Sequence, residues 1–428
     1  MSAGICIMNQ NAIAMAADSA VTIGGGIAIH NSVNKLFSLS RIEPIGAIIY
    51  SNANFMQTPV EIILKQYRSE IDSEKRYFDK LFDYVDDFID FLIRQKDFLR
   101  LDINEESFVL DTAENLLNGL DGDIKNLYAQ AVEDKKQELN AKEYEELYEK
   151  ALQETEKFVD EFEQQKEFDK IEYIKANYEK SIRNYIRNRY DVFSEEQENR
   201  IFESCVKVVC KDFYRSGYVG IAFAGYGKKE IYPTMVHIHI AGVLEDKVKY
   251  KIVENVSISE RNRQSITPLA QVDVMETFLY GLNNALLNYM ADMIPVTLGN
   301  DIENLKEAYF VDGKKEVVKR ELEVCTAHIV NQIINKAQSD FFQPIRNAIG
   351  GLPMDELGML AETMVNLTSM RRRVAIDSNS RTVGGPIDVA IISKGDGFIW
   401  AKRKHYFESD MNPQYFSRNF GSGKGYGK

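Results

Sequence analysis

Residues 14–37 read AMAADSAVTIGGGIAIHNSVNKLF. Small apolar residues run straight into an acidic side chain, Asp18, a Gly-rich turn follows, and a single Lys, Lys35, opens the next apolar run. A charge set into segments this apolar needs a partner, because an unpaired buried charge is costly. Just upstream, GICIM (4–8) and AIAMAAD (12–18) flank the turn-forming NQN (9–11), which predicts a hairpin. TIGGGIAIH (22–30) predicts a second, and KLFSLS (35–40) with IGAIIYSN (45–52) a third. Strands of this composition are expected to be buried on both faces.

From TPVEIILKQYR (58–68) the period becomes helical. Residues 60–213 hold almost no Gly or Pro and many Glu, Lys, Asp and Tyr. Tyr144, Leu147, Tyr148, Ala151, Leu152, Phe158, Val159 and Phe162 recur at three- and four-residue spacing, so amphipathic helices packed in pairs are expected rather than a disordered charged block. Strand character returns in GYVGIAFAGYG (217–227), TMVHIHIAGVL (234–244) and KVKYKIVENVSI (247–258). Helices follow from QVDVMETFLYGLNNALLNYMADM (271–293) to DELGMLAETMVNLTSMRRRV (355–374), and GGPIDVAIISKGDGFIWAKR (384–403) predicts a closing hairpin across KGDG. The order strands, helices, strands, helices, strands predicts an α+β protein, two stacked sheets with helix layers outside. The predicted divisions are 1–58 and 214–408 as the two parts of the sandwich, 59–213 as an α-helical insertion, extra helices about 296–350, and a flexible tail 409–428.

The chain has 428 residues and a formal net charge of −13, which argues against a general nucleic-acid binder. Cys6, Cys205, Cys210 and Cys325 have neither zinc spacing nor disulfide density, as in a reduced cytoplasmic protein. No stretch approaches the length of a membrane span, and MSAGICIMNQ (1–10) lacks the parts of a signal peptide. His237 and His239 alternate in VHIHIA, but no carboxylate or Cys follows at ligand spacing, so sheet residues and no metal are expected. GYGKK (225–229) lacks P-loop spacing, and MRRRV (370–374) fits a helix C-terminus.

The segment AADSAVTIGGGIAIHNSVNKLF (16–37) resembles the start of a proteasome β-type subunit of the N-terminal nucleophile (Ntn) hydrolase superfamily. Counting Ser2 as the first mature residue, Asp18 matches the family's Asp, and Lys35 matches its Lys with one extra loop residue. GIAFAGYG (220–227) resembles the family's central strand, and TVGGPIDVAII (382–392) resembles its SGG and following strand. On this resemblance the chain is a distant bacterial-type relative with a large helical insertion and a four-layer αββα sandwich.

The resemblance implies a peptidase or amidohydrolase in which removal of Met1 frees Ser2 as nucleophile, with its own α-amine as base. Lys35 would supply positive charge and Asp18 would hold Lys35. Ser51 or Asn52 would give the oxyanion N–H, although the family's glycine is absent there, and Val21 and Thr22 match substrate-strand and specificity positions. The family's Asp-x-x-Ser would fall at 380 and 383, where the chain has Ser380 and Val383, so Asp377 and Ser380 are the candidates to support the nucleophile from behind. No cofactor is implied. Implied partners are a peptide or protein substrate, further copies in a ring or open ring, and an unfoldase or regulator. The competing reading is an inactive scaffold that keeps the sandwich and binds partners through its acidic helices.

Overall fold

The computed structural model describes residues 2–23, 28–30, 33–95, 99, 102–136, 139–215, 217–304, 315–374, 384–405 and 407–414. The strands are β1 (Ala3–Asn9), β2 (Ile13–Ala17), β3 (Val21–Ile23), β4 (Ala28–His30), β5 (Leu36–Ser38), β6 (Ile45–Ser51), β7 (Asn54–Phe55), β8 (Thr58–Pro59), β9 (Val219–Gly225), β10 (Thr234–Leu244), β11 (Lys247–Ser257), β12 (Gln264–Ala270), β13 (Asp388–Ser393) and β14 (Gly397–Lys402). The helices are α1 (Val60–Glu74), α2 (Leu81–Arg94), α3 (Asp102–Lys135), α4 (Ala141–Glu161), α5 (Ile171–Arg189), α6 (Glu195–Val209), α7 (Asp273–Tyr280), α8 (Asn284–Asn304), α9 (Lys315–Ala337), α10 (Gln343–Ile349) and α11 (Met354–Val374). The fold is therefore mixed helix and sheet, and each strand pairing with an assigned register is antiparallel. Among the described residues no helix is long and apolar enough to cross a membrane. Ser409–Met411 form one 3-10 turn, and 415–428 lie outside the described residues.

The chain divides into two compact units. The first comprises Met1–Phe37, Ile231–Pro233 and Ser257–Lys428 and holds a sheet of order β12-β1-β2-β13-β14. Its first two strands form the expected hairpin, with Gly4 opposite Ala17 and Met8 opposite Ile13. Asn9 builds the turn: its side-chain oxygen accepts from the amides of Asn11 and Ala12, while its amide nitrogen donates to the carbonyls of Ile349 and Leu352. Both strands are buried along their whole length. One face, with Ala3, Ile5, Ile7, Ala14 and Ala16, packs with Leu357, Ala361, Met364 and Val365 of α11. The alanines on this face, Ala3, Ala14 and Ala16, contribute little apolar volume per residue to that packing.

The second unit, Ser38–Glu230 and Thr234–Val256, contains helices α1–α6 and most of a sheet of order β11-β10-β9-β6-β5, of which Leu36 and Phe37 of β5 and Ser257 of β11 are assigned to the first unit. The helical block is packed, not loose. Ala151, Leu152 and Val159 of α4 are buried with Ile174, Ile182, Ile201 and Phe202, and Leu147 is buried as well. Capping boxes start α4 (Asn140 with Glu143) and α6 (Ser194 with Gln197), each satisfying amides that helix geometry leaves free. Arg200 clamps the two helices together by reaching Glu149 at 2.6 Å and Glu156 at 2.7 Å. The Phe108 ring of α3 lies directly on Gly242 of β10, where a Cβ would stand 2.5 Å from the ring.

Lys249 on β11 is fully buried, and its ammonium donates to the carbonyls of Val208 at 3.4 Å and Phe213 at 3.3 Å. Burial without an adjoining carboxylate lowers its pKa from 10.5 to about 7. Between those values the unfolded chain binds one proton that the folded chain has released, so stability rises with pH across that window. The expected slope from this group is about 1.4 kcal/mol per pH unit at its steepest. Denaturant unfolding at about pH 7.5 and about pH 9.5 should show the rise in the parent and its loss in Lys249→Met; equal slopes in the two proteins would refute it.

Candidate active site

The β1–β2 hairpin brings its two open ends together, and the candidate residues gather there. Because Gly4 faces Ala17, the chain leaving β2 runs back alongside Ser2 and Ala3. The Asp18 amide donates to the Ala3 carbonyl at 3.0 Å, and the Ala3 amide returns a bond to Asp18 Oδ1 at 2.9 Å. Ser2 is buried at 6% exposure, and its carbonyl accepts from the Gln271 amide at 3.1 Å. The Ser2 hydroxyl makes no hydrogen bond with another described residue.

Lys35 completes the cluster from the start of β5. Its ammonium donates to Asp18 Oδ1 at 2.6 Å and to the Ala20 carbonyl, with 3% of the lysine side chain and none of the aspartate exposed. The other carboxylate oxygen, Oδ2, accepts from the amides of Ala20 at 3.3 Å and Gly384 at 3.1 Å. Burial pulls the Lys35 pKa below the ordinary lysine value; Asp18 opposes that shift, and the positive charge of Lys404 adds to it. A lysine in this state exchanges its proton more readily than one in water. Chemically, the cluster sets a cation of depressed pKa against one carboxylate, which also holds the amide of the residue after the buried Ser2.

The other candidates fall differently. Val21 and Thr22 lie on β3, with Val21 paired to His30 and Thr22 to Ile29. Ser51 and Asn52 lie in the second unit, at the end of β6. Ser51 has φ +70°, in the left-handed region that glycine adopts without strain. The Asn52 amide donates to the Tyr218 carbonyl at 3.3 Å, and its side chain accepts from Asn54. Asp377 and Ser380 lie outside the described residues.

Three residues of the cluster escaped the sequence reading. Gly384 supplies an amide to Asp18. Asp388, opposite Ala17 on β13, is buried and paired with Lys404, whose amide also donates to it at 2.8 Å. The available signal was the one Asp18 gives: a lone acid in the otherwise apolar PIDVAII.

No family model matches the chain, and no curated protein matches it. Solved structures do. Anbu from Hyphomicrobium sp. strain MC1 aligns over 100% of both chains at 9% identity and a TM-score of 0.28, as does its Gly-1 mutant. Anbu (ancestral beta-subunit) from Yersinia bercovieri aligns over 97% of this chain and 94% of that one, at 10% identity and a TM-score of 0.27. These findings correct the expected membership: the chain is not assigned to the proteasome β-type subunits, since no family model matches and the structures found are Anbu proteins at very low likeness. The physical reason is that the resemblance rested on a few short segments in register, which constrain local turns and one ion pair but little of the remaining chain. At this level of likeness, what bears on function is the side-chain geometry around Ser2.

Breaking the ion pair from one side strands a buried charge. Lys35→Met is therefore expected to cost about 3–5 kcal/mol of stability. The double variant Asp18→Asn/Lys35→Met removes both charges and should lose much less than the two single variants combined. Denaturant midpoints of the four proteins check this; additive losses would mean the two groups do not act as a pair.

Proposed function

We propose that the chain is an N-terminal nucleophile hydrolase that cleaves peptide or other amide bonds with Ser2. The observation that carries this reading is the bridging role of Asp18, whose one carboxylate holds both the Ala3 amide beside Ser2 and the buried Lys35 ammonium. A serine hydroxyl is a weak nucleophile until a base takes its proton. Removal of Met1 gives Ser2 a free α-amine, whose ordinary pKa of about 7.7–8.0 leaves part of it neutral near pH 7. The positive charge of Lys35 lowers that value further and stabilises the deprotonated oxygen.

In the reaction, the Ser2 hydroxyl proton passes to the α-amine as Oγ adds to the substrate carbonyl carbon. Collapse of the tetrahedral intermediate breaks the C–N bond, and the α-ammonium returns the proton to the departing amine. Water, deprotonated by the same amine, then hydrolyses the ester. Assembly of several copies and the four-layer αββα arrangement belong to the same proposal.

A second reading, an inactive scaffold, has two observations in its favour. The Asp18 carboxylate is fully engaged, as in a purely structural pair, and the Asn52 amide is already spent on a backbone carbonyl. Intact mass before and after treatment with an electrophile that captures both hydroxyl and amine separates the two. The hydrolase should lack one Met and gain a single adduct, absent in Ser2→Ala and reduced in Lys35→Ala. Retention of Met1 with no adduct would leave the scaffold.

A further inference from the structure

A polar cluster on the second unit's sheet serves no part of this chemistry. Strands β10, β9 and β6 are neighbours, and their register lines up His239, Gly220 and Tyr50 in one row. His237 lies two residues from His239 on the same face, as strand alternation dictates. Gly220 is the device that lets the row close. A Cβ at Gly220 would stand 2.2 Å from the Tyr50 ring, so the ring lies across the bare backbone of the middle strand. It thereby delivers its hydroxyl to both histidines, 2.5 Å from Nε2 of His237 and 2.7 Å from Nε2 of His239.

A phenol has one proton to donate, so it can serve only one of two imidazole lone pairs; the other ring must donate from Nε2. Among the described residues nothing engages Nδ1 of His239, so no partner fixes that ring's tautomer. Tyr50 and His237 are each 7% exposed, whereas His239 is partly open to solvent and leaves a way in. No group of three His, Cys, Asp or Glu residues gathers among the described residues, and the third donor here is a phenol.

We propose that His237 Nε2, His239 Nε2 and Tyr50 Oη form a binding site for a divalent first-row transition ion of the zinc class. Two imidazoles from alternate residues of one strand, joined by an oxygen donor from a second strand, suit borderline-soft ions with a preference for nitrogen. Zinc bonds of about 2.0–2.1 Å need ligand atoms about 3.3 Å apart in a tetrahedral site, so the three atoms spread by several tenths of an ångström on binding. On binding, the Tyr50 O–H bond breaks, its proton goes to solvent, and a Zn–O bond forms. Any proton on a histidine Nε2 moves to Nδ1, and water fills the remaining position. The phenolate charge offsets the repulsion from Lys251.

The test uses the full chain, stripped with a chelator, dialysed and titrated with Zn2+. One Zn2+ per chain is expected, together with a tyrosinate difference spectrum in the near ultraviolet at neutral pH. Tyr50→Phe, which keeps the ring over Gly220, should abolish the spectrum and weaken binding by more than about tenfold. His237→Asn/His239→Asn should lose stoichiometric binding. Absence of stoichiometric Zn2+ on the parent chain overturns the site whatever the variants do. Binding without the tyrosinate signal, or undiminished in folded Tyr50→Phe, removes Tyr50 from it and refutes the proposal as stated.

Discussion

The Asp18 side chain has no exposed surface and takes four donors: the amides of Ala3, Ala20 and Gly384 and the Lys35 ammonium. A carboxylate withdrawn this far from water is tolerable only if its lone pairs are filled and its charge is met. That requirement shapes the surrounding chain. Lys35 must reach inward from the start of β5, and the Ala20 carbonyl must turn to receive the same ammonium. The segment at Gly384, 366 residues away, must come close enough to give an amide. Small side chains along β1 and β2 leave room for this convergence. Remove the acid and the start of β1, the base of Lys35 and the Gly384 segment lose their common anchor.

The two buried lysines show what a counter-charge changes. Lys35 and Lys249 are both hidden from solvent and both lose proton affinity through burial. Lys35 has a carboxylate at 2.6 Å pulling against that loss, whereas Lys249 has two carbonyls and distant acids. The first therefore keeps a fixed place in a charged cluster, and the second is a proton site that empties near neutrality. Chemistry that needs an oriented cation can use only the former.

Much of this was readable from the sequence where the signal is local. NQN between apolar runs specified the first hairpin, and the three- and four-residue spacing through Tyr144–Phe162 specified a packed helix. Asp18 and Lys35 stood out because charges in apolar runs must find partners. What stayed hidden depends on pairing between distant segments. Nothing local says that β1 lies between β2 and β12, or that β13 follows β2. The roles of Gly384, Asp388 and Lys404 depend on that order. The histidines of VHIHIA look like ordinary sheet residues until Tyr50 reaches them across Gly220, a contact no spacing along the chain encodes. Similarity over short segments misled in the opposite direction, since a few residues in register suggested a family that the whole chain does not match.

The place of β1 in its sheet also sets an order of events during synthesis. Among the described residues its neighbours are β2 and β12, the latter formed by Gln264–Ala270, and β2 in turn waits for Asp388–Ser393 of β13. At ribosomal rates of roughly 5–20 residues per second, those partners emerge on the order of tens of seconds after the N-terminus. Ser2, buried in the finished unit, thus spends that interval without Gln271, whose amide donates to its carbonyl in the folded chain.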